Sequence, residues 1–245
     1  MKTNFCITLT TIPSRLGGIY KTIKSIEKQT LKPNKIFLNI PNEYYRFPGI
    51  RIPETEIEKL KSELVQINRC NDFGPATKIM GALNEVKEFD CAIIIDDDHN
   101  YDERMCEIFI REFEKKRNNY SYYIQKIFSI NMAQCADGFL INCAYLDEIE
   151  KFYETYVRKN KNMFLDDDLW ISIYLQLIKK TNIENLIEIF KKETGKKLIY
   201  DIHSTVDALS DNIHSPKKFL NRRKIAKIEY IKFLIKNYFN SFNQI

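Results

Sequence analysis

Two runs of three aspartates are the residues best suited to chemistry, Asp96-Asp97-Asp98 and Asp166-Asp167-Asp168. Adjacent carboxylates repel one another unless a cation neutralises them. The first run directly follows the apolar segment 91–95, and Mg²⁺ or Mn²⁺ held there by carboxylate oxygens would bridge to substrate phosphates. The alternative interpretation is a solvated acidic turn that caps the next helix.

The second run could supply a general base, since one of its carboxylates could deprotonate an acceptor hydroxyl. The alternative is a helix N-cap in which the carboxylates also interact favourably with the helix dipole. A cap accounts for one or two aspartates, and three exceed what it needs. Trp170 is the single tryptophan of the chain, and we expect it in the core or in the wall of an acceptor site.

Lys78 and the histidines are further candidates. Residues 74–78, Gly-Pro-Ala-Thr-Lys, lie between two predicted strands, and a helix start with Lys78 could meet an anionic group or serve only as a tight structural turn. The spacing is not that of a phosphate-binding P-loop. His203 or His214 could complete a metal site, although a lone histidine is more often structural. His99 adjoins the first acidic run, but its side chain can point away from Asp98.

The elements that must position these residues alternate along the first 117 residues. Short apolar, β-branched runs predict strands at 4–12, 35–40, 64–68 and 91–95. Helical spacing and turn residues predict helices at 17–29, 74–86 and 102–116, and a loop with a short helix at 42–62. This alternation favours a mostly parallel sheet covered on both faces, with ligands beyond the carboxyl ends of its strands. The first acidic run stands at such an end.

The second half of the sequence is less regular. It predicts strands at 127–132, 139–142 and 198–202, and helices at 145–157, 166–178 and 184–194. A long basic helix is predicted over 216–239. We therefore divide the chain into an α/β domain at 1–214 and a basic helical extension at 215–245.

Composition excludes several classes of protein. The 245 residues are 44% hydrophobic and 29% charged, as in soluble globular proteins. The six cysteines form no Cys-x-x-Cys pair, and neither a signal peptide nor a membrane span is evident, so we expect a cytoplasmic protein without structural zinc. A net charge of +5 does not imply nucleic-acid binding. The basic helix at 216–239 either packs onto the domain or makes peripheral contact with an anionic membrane.

Several motifs occur in a specific order. They are Thr10-Thr11-Ile12-Pro13-Ser14-Arg15-Leu16, Gln29 with Pro33, Gly74-Pro75-Ala76-Thr77-Lys78, Ile95-Asp96-Asp97-Asp98 with Tyr101, and Asp167-Asp168-Leu169-Trp170-Ile171-Ser172. Over residues 5–180 the chain thereby resembles the GT-A glycosyltransferases related to glycosyltransferase family 2. Asp-x-Asp alone is unspecific, and its order and spacing with the other motifs carry the resemblance.

The resemblance implies a GT-A fold, a Rossmann-like, mostly parallel mixed sheet flanked by helices, and a nucleotide-sugar donor. Thr11, Pro13 and Arg15 would line the nucleotide pocket, and Lys78 would lie near the donor. Asp96 and Asp98 would form the Asp-x-Asp pair.

Further roles follow for the metal and the acceptor side. Asp98 would bind Mn²⁺ or Mg²⁺ directly, Asp96 would assist it towards the nucleotide, and Asp97 would belong to the same donor site. His214 is a candidate for a further metal ligand. Asp137 would match the acceptor-side loop, and Asp168, with Asp167 before it, would match the acidic pair whose second residue is the base.

The expected reaction is transfer of a sugar from a nucleotide-diphosphate-sugar, with UDP the expected nucleotide, to a hydroxyl of a glycan, protein or small molecule. Single displacement with inversion is the working hypothesis, and retention stays open. A nucleotidyltransferase that makes sugar nucleotides, a metal-dependent phosphoesterase or nuclease, and a catalytically inactive nucleotide-sugar-binding module are the alternatives.

Overall fold

The computed structural model describes residues 3–127, 130–204, 206, 207 and 228. His214 and the predicted basic helix at 216–239 lie outside these residues, apart from position 228. The proposed division of the chain at residue 214 therefore falls outside the described part as well.

A seven-stranded sheet forms the centre of the molecule. Its order is β10-β6-β9-β4-β1-β2-β3, where β9 runs antiparallel to both neighbours and the other pairs are parallel. This confirms the predicted mostly parallel sheet. The sheet strands are β1 (Phe5–Thr10), β2 (Lys35–Pro41), β3 (Val65–Cys70), β4 (Cys91–Ile94), β6 (Asn119–Ser121), β9 (Phe139–Asn142) and β10 (Ile183–Asn185). Two smaller antiparallel pairs join β5 (His99–Tyr101) to β11 (Ile199–Ile202), and β7 (Ile124–Ile127) to β8 (Ile130–Ala133).

Helices cover both faces of this sheet. They are α1 (Ile19–Glu27), α2 (Glu54–Glu58), α3 (Thr77–Met80), α4 (Leu83–Val86), α5 (Met105–Lys115), α6 (Ile149–Phe152), α7 (Lys161–Phe164), α8 (Asp167–Ile173) and α9 (Ile187–Thr194). Single π-helical turns, Tyr153–Val157 and Tyr174–Ile178, extend α6 and α8. Within the described residues, every helix is too short or too polar to cross a membrane.

The core consists of two apolar layers, one on each face of the sheet. Along β1, Cys6 packs with α3, α4, α6 and α8, whereas Ile7 and Leu9 pack with α1 and α5. Along β4, Ile93 and Ile94 divide between the layers in the same way. Strands buried on both faces are apolar at nearly every position, which is why these two segments were recognisable from the sequence.

The helix predicted over 74–86 is divided. A short 3₁₀ turn at Gly74–Ala76 leads into α3, and α4 begins only after Gly81 and Ala82. A Cβ on Gly81 would lie 2.6 Å from Asn39 Cβ, so the backbone of this turn lies directly against β2. Close packing on the sheet therefore interrupts a segment whose composition alone favours one helix.

Two further predictions were wrong in detail, and two strands were missed. The strand predicted over 127–132 covers the end of β7 and the start of β8, which pair antiparallel, and the first residues of the helix predicted over 184–194 form β10 at the sheet edge. The polar strands β5 and β6 were not predicted. Asn119 in β6 shows the reason for that strand. Its side chain forms hydrogen bonds with the backbone of Asn182 and Asn142. Partners so distant along the chain leave no local sequence pattern.

The contact at Gly81 predicts a specific sensitivity to a single methyl group. Gly81→Ala forces overlap with Asn39 Cβ and with the Thr77 carbonyl oxygen, and should lower the free energy of unfolding by about 1–3 kcal/mol. Gly17→Ala is the matched control, because no atom lies within 4 Å of its added Cβ. Urea unfolding of both variants measures the difference, and equal stabilities would contradict this account of the divided helix.

Candidate active site

A pocket of about 550 Å³ opens where the carboxyl ends of β1, β2 and β4 meet the start of α8. Among the described residues, its wall contains eight aspartates but only three lysine or arginine side chains. The aspartates are Asp72, Asp96, Asp97, Asp98, Asp137, Asp166, Asp167 and Asp168, and the cations are Arg15, Arg46 and Lys78. Both acidic runs of the sequence thus face one strongly anionic cavity.

Lys78 joins the two acidic runs. Its Nζ lies 2.6 Å from Asp96 Oδ1 and 3.0 Å from Asp167 Oδ2, and the residue is only 5% exposed. Burial by itself lowers the pKa of Lys78, but Asp167 and Asp96 outweigh it and raise that pKa well above its usual value. Burial would likewise raise the pKa of Asp96, and Lys78 reverses this and lowers it. Lys78 is therefore a fixed cation shared by both carboxylates.

The backbone of α3 is fixed against the sheet at Lys78. The Lys78 carbonyl oxygen accepts a hydrogen bond from Asn39 Nδ2 at 2.8 Å and another from the Thr8 hydroxyl. Asn39 also donates to Thr8 Oγ1 at 3.0 Å. Polar residues in two otherwise apolar strands thus hold the helix that carries the lysine.

Asp97 is held by the segment after β1. Its two carboxylate oxygens accept hydrogen bonds from Thr11 Oγ1 at 2.6 Å and from Arg15 Nη1 at 2.8 Å. Burial is the strongest influence on Asp97 and raises its pKa, although Arg15 and Thr11 oppose this. Asp97 consequently orients Thr11 and Arg15, two residues predicted to line the nucleotide pocket.

Asp98 lies between Arg15 and His99. Its Oδ2 is 2.7 Å from Arg15 Nη1, and its Oδ1 contacts His99 Nδ1. Burial lowers the pKa of His99, but contact with Asp98 outweighs burial and the pKa ends above its usual value. The His99 side chain therefore points towards Asp98, not away from it.

A cluster behind the first acidic run holds its backbone. Thr22 Oγ1 lies 2.9 Å from the Asp97 carbonyl oxygen and 2.8 Å from that of His99. The same hydroxyl lies 2.9 Å from His203 Nε2, and the His203 amide donates to the Asp98 carbonyl oxygen at 2.9 Å. His203 thus supports the loop from behind through hydrogen bonds.

The second acidic run begins α8. Asp168 Oδ1 accepts a hydrogen bond from the Cys135 amide at 2.9 Å, and Ser172 Oγ donates to the Asp168 carbonyl oxygen at 2.6 Å. Ser172 also accepts from the Ala133 amide at 3.0 Å. These bonds connect the first turn of α8 to the β8 end and orient the Asp168 carboxylate at the pocket.

Of the remaining predicted site residues, some line the pocket and others do not. Asp137 lines the pocket, and burial raises its pKa to about 6. Pro13 is not part of the wall; it begins the 3₁₀ turn Pro13–Arg15, which directs Arg15 inward. His214 lies outside the described residues.

Sequence reasoning missed the aromatic and basic part of the wall. Tyr44, Arg46, Phe47 and Phe164 line the pocket, and the run Tyr-Tyr-Arg-Phe at 44–47 was a usable signal for the first three. Tyr44 donates to the Thr11 carbonyl oxygen at 3.1 Å, so it also positions the turn that follows β1. Loop residues of this kind follow neither the strand period nor the helix period, so the periodicity of the sequence does not reveal them.

A short segment after β11, which includes Val206 and Asp207, contacts the pocket wall. Arg15 Nε donates to the Val206 carbonyl oxygen at 2.7 Å, and Arg46 Nη2 donates to that of Asp207 at 2.6 Å. Ile202 at the end of β11 also lines the pocket. Both arginines of the wall therefore contact this segment.

No protein-family signature and no curated protein sequence matches this chain. Several solved structures are similar to it in fold. TarS from S. aureus in complex with UDP-GlcNAc has a TM-score of 0.56 and 13% identity, covering 92% of this chain and 66% of that chain. The mannosyltransferase PcManGT from Pyrobaculum calidifontis, in complex with GDP-Man and Mn²⁺, has a TM-score of 0.53 and 7% identity, covering 86% and 60%.

A cytidylyltransferase from Leptospira borgpetersenii serovar Hardjo-bovis is also similar. Its TM-score is 0.54 with 10% identity, over 97% of this chain and 98% of that chain. At such identities the likeness establishes the fold, which is that of the GT-A glycosyltransferases as predicted. The chain spans less than two thirds of the TarS and PcManGT chains.

The contact of Lys78 with both Asp96 and Asp167 should make the stability of the protein depend on pH. Lys78→Met leaves buried carboxylates without their cation and should cost about 3–5 kcal/mol of unfolding free energy near pH 7. In the native protein, Lys78 lowers the pKa of Asp96, so this stabilisation is present above the ordinary carboxyl pKa and is lost as the pH falls. In the variant, burial no longer opposed by this lysine raises the pKa of the Asp96 carboxyl, so the carboxyl takes up a proton as the pH falls and the deficit shrinks towards pH 4.

Urea unfolding at several pH values measures this deficit. Lys116→Met is the matched control, since its pair with Glu184 is solvent-exposed and should contribute no more than about 1 kcal/mol. A deficit of Lys78→Met that stays constant between pH 4 and 7 would show that packing, and not charge, is what Lys78 provides.

Proposed function

We propose that this protein is a divalent-metal-dependent glycosyltransferase that moves a sugar from a nucleotide-diphosphate-sugar, with UDP as the favoured nucleotide, to an acceptor hydroxyl with inversion. One observation carries the proposal. The two acidic runs, one after the end of β4 and one at the start of α8, face the same pocket on either side of the buried Lys78. The similarity in fold to TarS and PcManGT supports it.

The first acidic run, Asp96-Asp97-Asp98, is suited to bind a divalent cation. A diphosphate is strongly repelled by a wall with eight aspartates and three fixed cations unless further positive charge is present. Asp98 Oδ1 is buried and makes no hydrogen bond within the described part of the chain, so an oxygen ligand is available there. Asp96 and Asp98 would hold Mn²⁺ or Mg²⁺, whose charge stabilises the nucleoside diphosphate as it leaves.

The donor side of the pocket suits a nucleotide. Thr11, Arg15 and Asp97 form one hydrogen-bonded unit at the end of β1, and Tyr44 and Phe47 provide apolar surface beside it. Arg15 contributes a cation next to the carboxylates where the phosphates would lie. Lys78, held by Asp96, adds a second cation that cannot move away as charge develops.

The acceptor side offers Asp168 as the base. Asp167 is already engaged by Lys78, whose Nζ lies 3.0 Å from Asp167 Oδ2. Asp168 is oriented by the Cys135 amide and lies in the same wall. It would take the proton from the acceptor hydroxyl as that oxygen attacks the anomeric carbon.

Nucleotidyl transfer is the second candidate, because the cytidylyltransferase matches over nearly its whole length. Its nucleophile would be a phosphate, which is already ionised and needs no base. The wall formed by Asp137 and the second acidic run would repel such an anion but accept a neutral hydroxyl. The charge of the acceptor side therefore favours glycosyl transfer.

Donor binding is the first test. UDP with Mn²⁺ at about a hundred times its Kd should stabilise the protein by about 2.7 kcal/mol, a shift of several degrees in Tm. Asp98→Asn should lose the shift, and Asp147→Asn, on an exposed carboxylate that pairs with Lys179, should keep it. An Asp98→Asn protein with the full metal-dependent shift would exclude Asp98 as a metal ligand.

Chemistry is the second test, made with a panel of UDP- and GDP-sugars. Asp168→Asn should lower kcat by about 10²–10⁴-fold and leave the donor Kd unchanged, because the base acts only on the acceptor. Release of nucleoside diphosphate agrees with glycosyl transfer, whereas release of pyrophosphate would identify the nucleotidyltransferase. Donor binding without turnover under all conditions would identify a binding module.

A further inference from the structure

The His99 imidazole stands among the carboxylates of the first acidic run. Asp96, Asp98 and His99 each offer one ligand atom, and these atoms lie within 4.8 Å of one another. Asp98 and His99 are 6% and 8% exposed as whole residues, and their side chains are 8% and 11% exposed, so two of the three ligand groups are buried. All three line the pocket.

Two of these ligand atoms have no hydrogen bond in the described part of the chain. Asp98 Oδ1 and His99 Nδ1 contact each other, yet neither atom has a hydrogen-bond partner of acceptable geometry. Buried polar atoms in folded proteins are nearly always satisfied, so each such atom requires an explanation. A cation coordinated by both atoms would satisfy them together.

The ring is held in place from several sides. His99 begins β5, where its backbone pairs with Ile202 of β11, and its carbonyl oxygen accepts from Thr22 Oγ1 at 2.8 Å. The imidazole packs against Tyr101, with ring centroids 6.1 Å apart and planes inclined by 32°. Tyr101 in turn accepts a hydrogen bond from the Asp96 amide at 3.0 Å. One strand therefore sets the relative positions of His99 and Asp96.

His203 does not share this position. Its Nε2 is directed to Thr22 Oγ1 at 2.9 Å, and its ring packs against Gly18 behind the loop. It is absent from both groups of side chains that could hold a metal among the described residues. His99 is the imidazole that the fold directs into the carboxylate cluster.

We infer that His99 is a nitrogen ligand of the divalent cation, together with Asp96 and Asp98. Mn²⁺ is bound mainly by oxygen ligands but, as a transition metal, it accepts one imidazole beside carboxylates more readily than Mg²⁺ does, so the site should bind Mn²⁺ more tightly than Mg²⁺. This inference rests on the proposed function, which provides the metal, but it concerns the ligands alone and can be measured without a substrate.

Pulsed electron paramagnetic resonance of the full chain loaded with Mn²⁺ tests the ligand directly. The wild-type protein should show coupling of Mn²⁺ to ¹⁴N, and protein labelled with [¹⁵N]histidine should show the corresponding ¹⁵N frequencies. The labelling experiment requires no substitution, so it stays decisive even if a variant does not fold. Bound Mn²⁺ without histidine nitrogen coupling in the wild-type protein would overturn the inference.

Variants identify the histidine. His99→Gln should abolish the nitrogen coupling, weaken Mn²⁺ binding about ten- to a hundredfold in calorimetry, and change Mg²⁺ binding far less. His203→Gln, the matched control, should retain the coupling. Coupling that persists in His99→Gln, or disappears in His203→Gln alone, would assign the nitrogen to another residue.

The failure of this inference is separable from failure of the proposed function. Transfer of a sugar by a protein whose Mn²⁺ lacks nitrogen coupling would overturn the role of His99 and leave glycosyl transfer standing. Nitrogen-coupled Mn²⁺ in a protein that does not turn over any nucleotide-sugar would do the reverse.

Discussion

The buried contact of Lys78 with Asp96 and Asp167 is the interaction on which the site depends. It joins the end of a central strand to the first turn of α8, two segments far apart in the sequence. Burying Lys78 and Asp167 and partly burying Asp96 is expensive unless these charges are paired, so the contact can exist only if both segments reach the same place. The polar residues Thr8 and Asn39 hold the lysine's backbone against the sheet, and Gly81 allows the close approach that this needs.

Lys78, Arg15 and Arg46 do not balance the charge of the pocket. Eight aspartates line it within the described residues, which leaves a large negative excess. Such an excess is costly in a partly buried cavity and is relieved when a divalent cation binds. The same excess would make the proposed acceptor side unfavourable for an anionic nucleophile. The proposed affinity for metal and the proposed preference for a neutral acceptor hydroxyl thus have one electrostatic origin.

The fold alone would not have chosen between these chemistries. A glycosyltransferase and a cytidylyltransferase resemble the chain with TM-scores of 0.56 and 0.54. One sheet can present either reaction, because function depends on the residues at the strand ends and in the loops. Here the second acidic run, with Asp168 directed by the Cys135 amide, is what favours glycosyl transfer.

The sequence by itself determined the central strands and the two acidic runs at element ends, because burial on both faces and helix starts leave local patterns. It also indicated Lys78, Thr11 and Arg15 through their motifs. Only the tertiary structure decided which side chains contact one another in the site. It paired Lys78 with both runs, placed His99 beside Asp98 and His203 behind Thr22, and formed β5 and β6 from polar residues. These contacts join residues distant along the chain, and their energies depend on burial, which no local pattern encodes.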